Sequence, residues 1–412
     1  MLNIVDVFSG AGGLSEGFRS NPNFNIICHV EKDIDACRTL EVREAYYYLK
    51  ENSNLKVYKK YLSQQISREE LFRNLPTEKL ESIINFEINK ENLKYIFDYI
   101  DQKNTRVDGI VGGPPCQAFS TIGRAVNEKK KKEDERIYLY KYYLDFLAKY
   151  RPKFFIFENV KGLLSFKDID EELLFPKIVA EFQGYGYEVE FRILNSSHFG
   201  VSQNRERLFL FGLRRDIPVV SGFFNELEKY FEDPINIDSL LKDLPFIKAG
   251  EYSNSYRAVR ISKFKRKYYR DTKENIPLTY HVARPNIERD LEIYKLVVDE
   301  KRKGNNLKYS DLPSKLVTHS NTDAFLDRFK ALDSKGISHT IVAHISKDGH
   351  YYIHPNRDQN RSISVREAAR IQGFPDNFYF ESSRTAAFKQ IGNAVPPILS
   401  KKIAEAIIDM GI

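Results

Sequence analysis

Cys116 combines a reactive side chain with a local sequence that fixes where it points. It lies in Gly112-Gly-Pro-Pro-Cys-Gln-Ala-Phe-Ser120, directly after the apolar run Asp108-Gly-Ile-Val-Gly112. Pro114 and Pro115 fix backbone φ just before it, so the direction of the sulfur is set before any substrate arrives. A nucleophile and a packed core thiol both fit a single cysteine, although core cysteines seldom sit between Pro-Pro and a polar loop. Glu158, in Phe157-Glu-Asn-Val160, stands in an apolar context that would raise its pKa and let it donate a proton; a capping or salt-bridged carboxylate is the plain alternative. Arg205 and Arg207, in Gln203-Asn-Arg-Glu-Arg207, fall on the same side of an extended segment and can fix an oxygen or a phosphate, unless they only pair with Glu206.

A second group of residues points to a nucleoside. Phe8-Ser-Gly-Ala-Gly-Gly-Leu14 puts three glycines between a strand pattern and a helix pattern, where backbone can approach an anionic or polar ligand closely. The dinucleotide fingerprint is incomplete, because Ser15 stands where its third glycine would fall. Glu31 follows about 20 residues on, at the end of the second strand pattern, where an acid can accept ribose hydroxyls. His339, His344, His350 and His354 crowd one stretch, but their spacing matches no zinc pattern and no cysteine is near, so no metal is expected.

Positioning these groups requires a sheet. Residues 3–8, 25–30, 108–112, 153–157 and 207–212 read as buried strands, with a helix pattern at 138–150, which argues for an open, mostly parallel α/β sheet. Ligand groups gather at the carboxyl ends of such strands, and Glu31, Cys116 and Glu158 fall there. Residues 41–106 read as a helical insertion on the sheet edge. Beyond residue 213 the alternation lapses into basic loops, a helix at 286–302 and an expected hairpin turning at Asp348-Gly349 between 340–343 and 351–353. A last segment, 386–412, is too short to fold alone and should dock back on the first unit.

The 412 residues suit two domains, and their three cysteines form no CxxC pair, which fits a reducing compartment. No apolar run approaches the roughly 20 residues needed to cross a bilayer, so the expected setting is the cytoplasm, with no membrane partner. The net charge of +7 is unevenly placed. Residues 129–132 are all Lys, and 255–273 carries eight Lys or Arg against one acid, interleaved with Tyr256, Phe264, Tyr268 and Tyr269. Basic and aromatic side chains together are what phosphates and bases require, so nucleic acid is the leading partner.

Taken in order, these runs resemble the bacterial, restriction-modification type DNA cytosine-5 methyltransferases. The resemblance extends to Ser364-Val-Arg-Glu-Ala-Ala-Arg-Ile-Gln-Gly-Phe-Pro375 and Gln390-Ile-Gly-Asn-Ala-Val-Pro396, and so frames almost the whole chain. It implies a Rossmann-like S-adenosylmethionine-dependent domain (1–213 plus 386–412) with a smaller inserted target-recognition domain (214–385). Cys116 would attack carbon 6 of a flipped cytosine, Glu158 would serve ring nitrogen 3, Arg207 would hold the carbonyl oxygen, and Arg205 would support the site. For S-adenosylmethionine the resemblance implies Phe8, Gly10, Gly12, Gly13, Leu14, Glu31, Leu139, Asn393 and Val395. For duplex DNA it implies Gln117 and Ser120 of the cysteine loop and Lys129, Lys130 and Lys131 of a lid. Arg257, Arg260, Lys263, Lys265, Arg266, Lys267 and Arg270 would join them, with loops at 318–323 and 340–344. A monomer on DNA, a cognate restriction endonuclease as functional partner, and a nucleoid-associated location in a bacterial or archaeal cell follow from the same likeness. Two departures stand out: Lys32 occupies the place after Glu31 where an aromatic often stacks on adenine, and the acid for the adenine amino group lacks a clear counterpart, with Lys59, Lys60 or Tyr61 near its place. An RNA cytosine methyltransferase, a non-catalytic DNA-binding regulator and a nicotinamide oxidoreductase are the rivals.

Overall fold

A computed structural model describes residues 1–115, 119, 135–318 and 326–412. Its centre is a seven-stranded sheet of β1 (Leu2–Val7), β2 (Phe24–Glu31), β3 (Ile83–Asn85), β4 (Gly109–Gly112), β5 (Phe154–Val160), β6 (Tyr187–Asn195) and β7 (Glu206–Arg214), ordered β3-β2-β1-β4-β5-β7-β6. Strands β1 to β5 run parallel, and β7 is antiparallel to both β5 and β6. The strand order reverses between β1, with β2 on one side, and β4 on the other. That switch point opens a crevice at the carboxyl ends of these strands.

Both faces of the sheet are covered, which is why β1, β4 and β5 read as nearly continuous apolar runs. Alternate residues of β5 show it: Phe155 and Phe157 pack with Tyr143, Leu144 and Phe182 on one face, and Phe154 and Ile156 pack with Phe18, Leu399 and Ile403 on the other. The last helix, Pro397–Asp409, lies against the first, Gly13–Arg19. A Cβ at Gly17 would collide with the backbone of Ser400 and Lys401, and the Ser400 hydroxyl donates to the Leu14 carbonyl. The C-terminal segment therefore docks on the N-terminal unit.

Three expectations are corrected. Residues 41–106 are not an insertion outside the sheet, because they contain β3, paired in parallel with β2, and the Leu93–Gln102 helix, whose Ile96 and Ile100 enter the core. Only the short helices between Leu55 and Leu80 form an excursion, held by the Tyr58 hydroxyl donating to the Asn377 carbonyl at 2.8 Å. The hairpin around Asp348-Gly349 does not form. Arg284 takes the carbonyls of Ile345 (2.9 Å), Ser346 (3.4 Å) and Lys347, Gln203 takes the Ile341 N–H, and Ala343–Ser346 coils into a 3₁₀ turn. Ile353 instead bridges Ala331 and Ser362. Glu158 lies inside β5 rather than at its end, since the strand continues to Val160.

No helix among the described residues is long and apolar enough to cross a membrane. Three of the four clustered histidines are engaged locally: His339 Nε2 lies 2.7 Å from the Tyr351 carbonyl, His350 Nδ1 lies 2.8 Å from the Tyr294 hydroxyl, and His354 Nδ1 accepts from the Asn356 N–H at 3.1 Å. The Val365–Ile371 helix shares one apolar cluster with Ala11, Val201, Ala394 and Ile398, so residues of the central segment and of the sheet unit form a common core.

Candidate active site

A cavity of about 280 Å³ opens at the carboxyl ends of β1, β2, β4 and β5. The turn after β1 forms its floor. Phe8, Gly10 and Gly12 adopt left-handed φ of 55°, 54° and 78°, a conformation that costs little at glycine and strains Phe8. No atom stands within 4 Å of where a Gly10 Cβ would be, whereas one at Gly13 would strike the Val395 carbonyl. The turn thus faces the cavity at Gly10 and seats the C-terminal segment at Gly13. Phe8, Gly10, Gly13, Leu14, Glu31, Leu139, Asn393 and Val395 all line the cavity. Gly12 is not among them; it starts the Gly13–Arg19 helix, and a Cβ there would meet Leu40.

Glu31 is held by three backbone donors: Gly10 N–H to Oε2 at 2.7 Å, and the N–H groups of Lys32 (2.9 Å) and Asp33 (2.8 Å) to Oε1. Burial pushes its pKa up, partly countered by those hydrogen bonds. One lone-pair site on Oε2 is left for a hydroxyl. Two further wall groups are buried without a hydrogen-bond partner, the acceptor Asp6 Oδ1 and the donor Gln390 Nε2. An open glycine face, an acidic hydroxyl acceptor and an unmet acceptor and donor suit a polar nucleoside ligand such as S-adenosylmethionine.

Residues just past β3 complete the wall and were not foreseen. Phe86, Glu87 and Ile88 border the cavity, and Glu87 pairs with Lys32 at 2.7 Å. The place considered for Lys59, Lys60 or Tyr61 is therefore filled from the β3 end. Lys59 and Lys60 belong to the Leu55–Leu62 helix, as does Tyr61, whose hydroxyl bonds Glu381. The missed signal was Ile83-Ile84-Asn85, too short a strand to stand out among helical spacings. Lys389, which pairs with Asp33 at 2.8 Å, was also missed.

Strand pairing brings the two charged candidates together. In the β5–β7 register Glu158 faces Phe209 and Val160 faces Arg207, so Glu158 and Arg207 are diagonal neighbours. Arg207 Nε lies 3.3 Å from Glu158 Oε1. Burial raises the Glu158 pKa even though Arg207 and Arg205 both pull it down. Glu158 lines the first cavity, and Arg207 lines a second, open one of about 520 Å³ bordered by Phe119, Lys161, Asn195, Asn204 and Thr340. Their ion pair stands between the two. Gly113 has no room for a Cβ against the Glu158 carbonyl, and Asn159 Nδ2 donates to the Pro114 carbonyl at 3.4 Å, so the Gly-Pro-Pro turn is pressed onto β5. Pro115 reaches the cavity wall beside Glu158. Cys116, Gln117, Ser120, Lys129, Lys130 and Lys131 lie outside the described residues, as does 319–323 of the expected DNA loop.

Arg205 stands behind the site rather than in either cavity. It is buried at 1% exposure, and its guanidinium donates to the carbonyls of Ile341 (2.8 Å) and Gly392 (3.2 Å). It braces the chain beside the site and lines neither cavity. Gln203 continues that brace, donating to Gln372 Oε1 at 2.7 Å, and Gln372 donates to the Ala394 carbonyl at 2.5 Å. In the basic segment Arg257, Arg260, Lys263, Arg266 and Lys267 are exposed, although Lys267 pairs with Glu232 at 3.2 Å. Arg270 is half-buried, 3.6 Å over the Tyr256 ring. Lys265 is corrected: it points inward to an ion pair with Asp243, which Arg370 also clasps at 2.7 Å, so it is not available to a phosphate.

The sequence matches the C-5 cytosine-specific DNA methylase family over residues 74–409. The chain belongs to this family. The methyltransferase is 38% identical to the Type II methyltransferase M.Bpa9945I of Bacillus paralicheniformis, covering 99% of the chain and 98% of that relative. It is 29% identical to the Type II methyltransferase M.DdeI of Desulfomicrobium norvegicum, covering 98% and 88%. It is thus a DNA cytosine-5 methyltransferase of the Type II restriction-modification kind. Among solved structures, an E. coli protein provisionally described as a DNA modification methyltransferase encoded within a prophage shares the methyltransferase's fold. The TM-score is 0.65 at 24% identity, over 100% of this chain and 99% of that one.

Proposed function

We propose that this methyltransferase uses S-adenosylmethionine to methylate carbon 5 of a cytosine turned out of duplex DNA, through a covalent adduct with Cys116. The observation that carries the reading is the Glu158–Arg207 pair standing between a nucleoside-sized cavity and an open one. Turning the base out is required because its ring atoms are unreachable within the stack. The Cys116 thiolate forms a bond to carbon 6, and the displaced ring electrons move toward nitrogen 3 and carbon 5. Glu158, whose pKa burial raises, donates a proton to nitrogen 3, and Arg207 donates to the carbonyl oxygen, so negative charge does not accumulate on the ring. S-adenosylmethionine, when bound, supplies the methyl group that carbon 5 takes. Loss of the carbon 5 proton to a base then restores the double bond and expels the thiolate, the nitrogen 3 proton returns to Glu158, and S-adenosylhomocysteine is left as the second product.

Phe8, Gly10, Gly13, Leu14, Leu139, Asn393 and Val395 would hold the cofactor around Glu31, which takes the ribose. Residues 1–213 with 386–412 would form the catalytic domain and 214–385 the target-recognition domain. The exposed Arg257, Arg260, Lys263, Arg266 and Lys267, with half-buried Arg270 at their edge, supply a basic surface for phosphates. The enzyme would act as a monomer on DNA, protecting it from a cognate restriction endonuclease.

The test is methyl transfer from labelled S-adenosylmethionine to duplex DNA by the wild type and Cys116→Ala, with 5-fluorocytosine duplex as a trap. The wild type should transfer label and form a denaturation-resistant adduct, and the variant should do neither. Full transfer by Cys116→Ala would overturn the covalent mechanism.

A further inference from the structure

Phe86 is a large apolar side chain left 45% exposed on the wall of the cavity. Its position follows from strand pairing. The parallel register of β2 and β3 matches Val30 with Ile84 and Glu31 with Asn85, so the next residues, Lys32 and Phe86, leave the sheet side by side. Asn85 holds the two ends together, its Nδ2 donating to the carbonyls of Glu31 and Lys32, each at 3.1 Å. Adjacent strands are about 4.8 Å apart, which places Phe86 one strand spacing beyond the residue that follows the ribose-binding acid. Lys32 is drawn aside by Glu87 at 2.7 Å, so its ammonium is committed at the cavity rim. The phenyl ring and Ile88 are then the apolar surfaces on the β3 side.

We infer that Phe86 is the stacking surface for the adenine of the bound cofactor, supplying from β3 the ring that Lys32 cannot supply from β2. The inference rests on the reading of this cavity as the S-adenosylmethionine site. With the ribose at Glu31, the base reaches past the end of β2 toward β3, where the phenyl face loses water only when a planar ring covers it. Loss of the ring weakens binding and leaves the fold intact, because an exposed phenyl contributes little to the core.

The chain contains no tryptophan, so Phe86→Trp installs a single reporter at the proposed contact. S-adenosylhomocysteine, which binds without turnover, is the probe. Calorimetry should show binding by the wild type, a roughly ten-fold weaker constant for Phe86→Ala, and recovery in Phe86→Ala/Lys32→Trp, as expected for one base–aromatic stack. The Phe86→Trp protein should bind with near wild-type affinity and show an indole emission change that saturates with the calorimetric constant. If Phe86→Ala binds as the wild type does, or the indole emission is unmoved while heat of binding is normal, the stacking role is overturned. If the wild type itself gives no binding heat, the cofactor reading fails first and this inference falls with it.

Discussion

Replacing Arg205 with Met tests whether this arginine is a brace or a chemical participant. The side chain is fully buried, and its two donors satisfy the Ile341 and Gly392 carbonyls at 2.8 and 3.2 Å. A hydrogen bond from a charged donor contributes about 1.5–3 kcal/mol, and a buried carbonyl left unmet costs a further part of its desolvation. Methionine fills most of the volume but bonds neither oxygen, so the expected loss is about 3–4 kcal/mol. The free energy should appear in a lower urea midpoint, followed by far-ultraviolet circular dichroism. Because Gly392 adjoins Asn393 on the cavity wall, S-adenosylhomocysteine affinity should fall with it, and Arg205→Lys, which can reach one carbonyl, should recover part of both. A variant with an unchanged urea midpoint and unchanged ligand affinity but no methyl transfer would refute the brace and return Arg205 to the chemistry.

Burial holds the Glu158 pKa above the ordinary carboxylate value, so methyl transfer in single-turnover assays should decline as pH rises through it. Arg207→Met removes a group that pulls that pKa down and should move the decline to higher pH, besides lowering the rate. Asp243→Asn should cost about 3–5 kcal/mol in urea unfolding, because Lys265 and Arg370 would be left around a neutral group. In the wild type, burial of Asp243 raises its pKa, but Arg370 and Lys265 outweigh that and leave it well below 3.8. Its contribution is therefore complete above the ordinary carboxylate range and is lost only as pH falls through the depressed folded value. Alanine at Arg260, Lys263 or Arg266 should weaken binding to all DNA sequences alike and reduce the salt slope by about one each, whereas Lys265→Ala should lower the unfolding midpoint.

The parts of the molecule that were legible in sequence are those whose signal is local. Continuous apolar runs mark β1, β2, β4 and β5 because helices cover both faces, and the glycine turn, Glu31, Glu158 and Arg207 sit in short motifs tied to those strands. Two strands escaped for opposite reasons. β3 has only three residues, and β6 spaces Glu188, Glu190 and Arg192 along a half-exposed edge, so neither shows an apolar run. The roles of Arg205 and Lys265 were not legible because composition shows a charge but not its partner. The partners, the carbonyls of Ile341 and Gly392 and the carboxylate of Asp243, are brought in by folding across long stretches of chain. Phe86 and Glu87 escaped with β3, since their place at the cavity depends on a pairing that their own sequence barely signals.

The contact of Gly13 with Val395 and of Gly17 with Ser400 has a consequence for when the enzyme becomes active. The glycine turn leaves the ribosome well before the segment that closes over it, which emerges almost 400 residues later. Until that segment is released, the turn lacks its cover and the cavity lacks one wall. At about 5–20 residues per second, synthesis alone imposes a delay of some tens of seconds between the first strand and a competent site. A newly started chain is therefore idle for at least that interval, whatever the turnover rate of the finished protein.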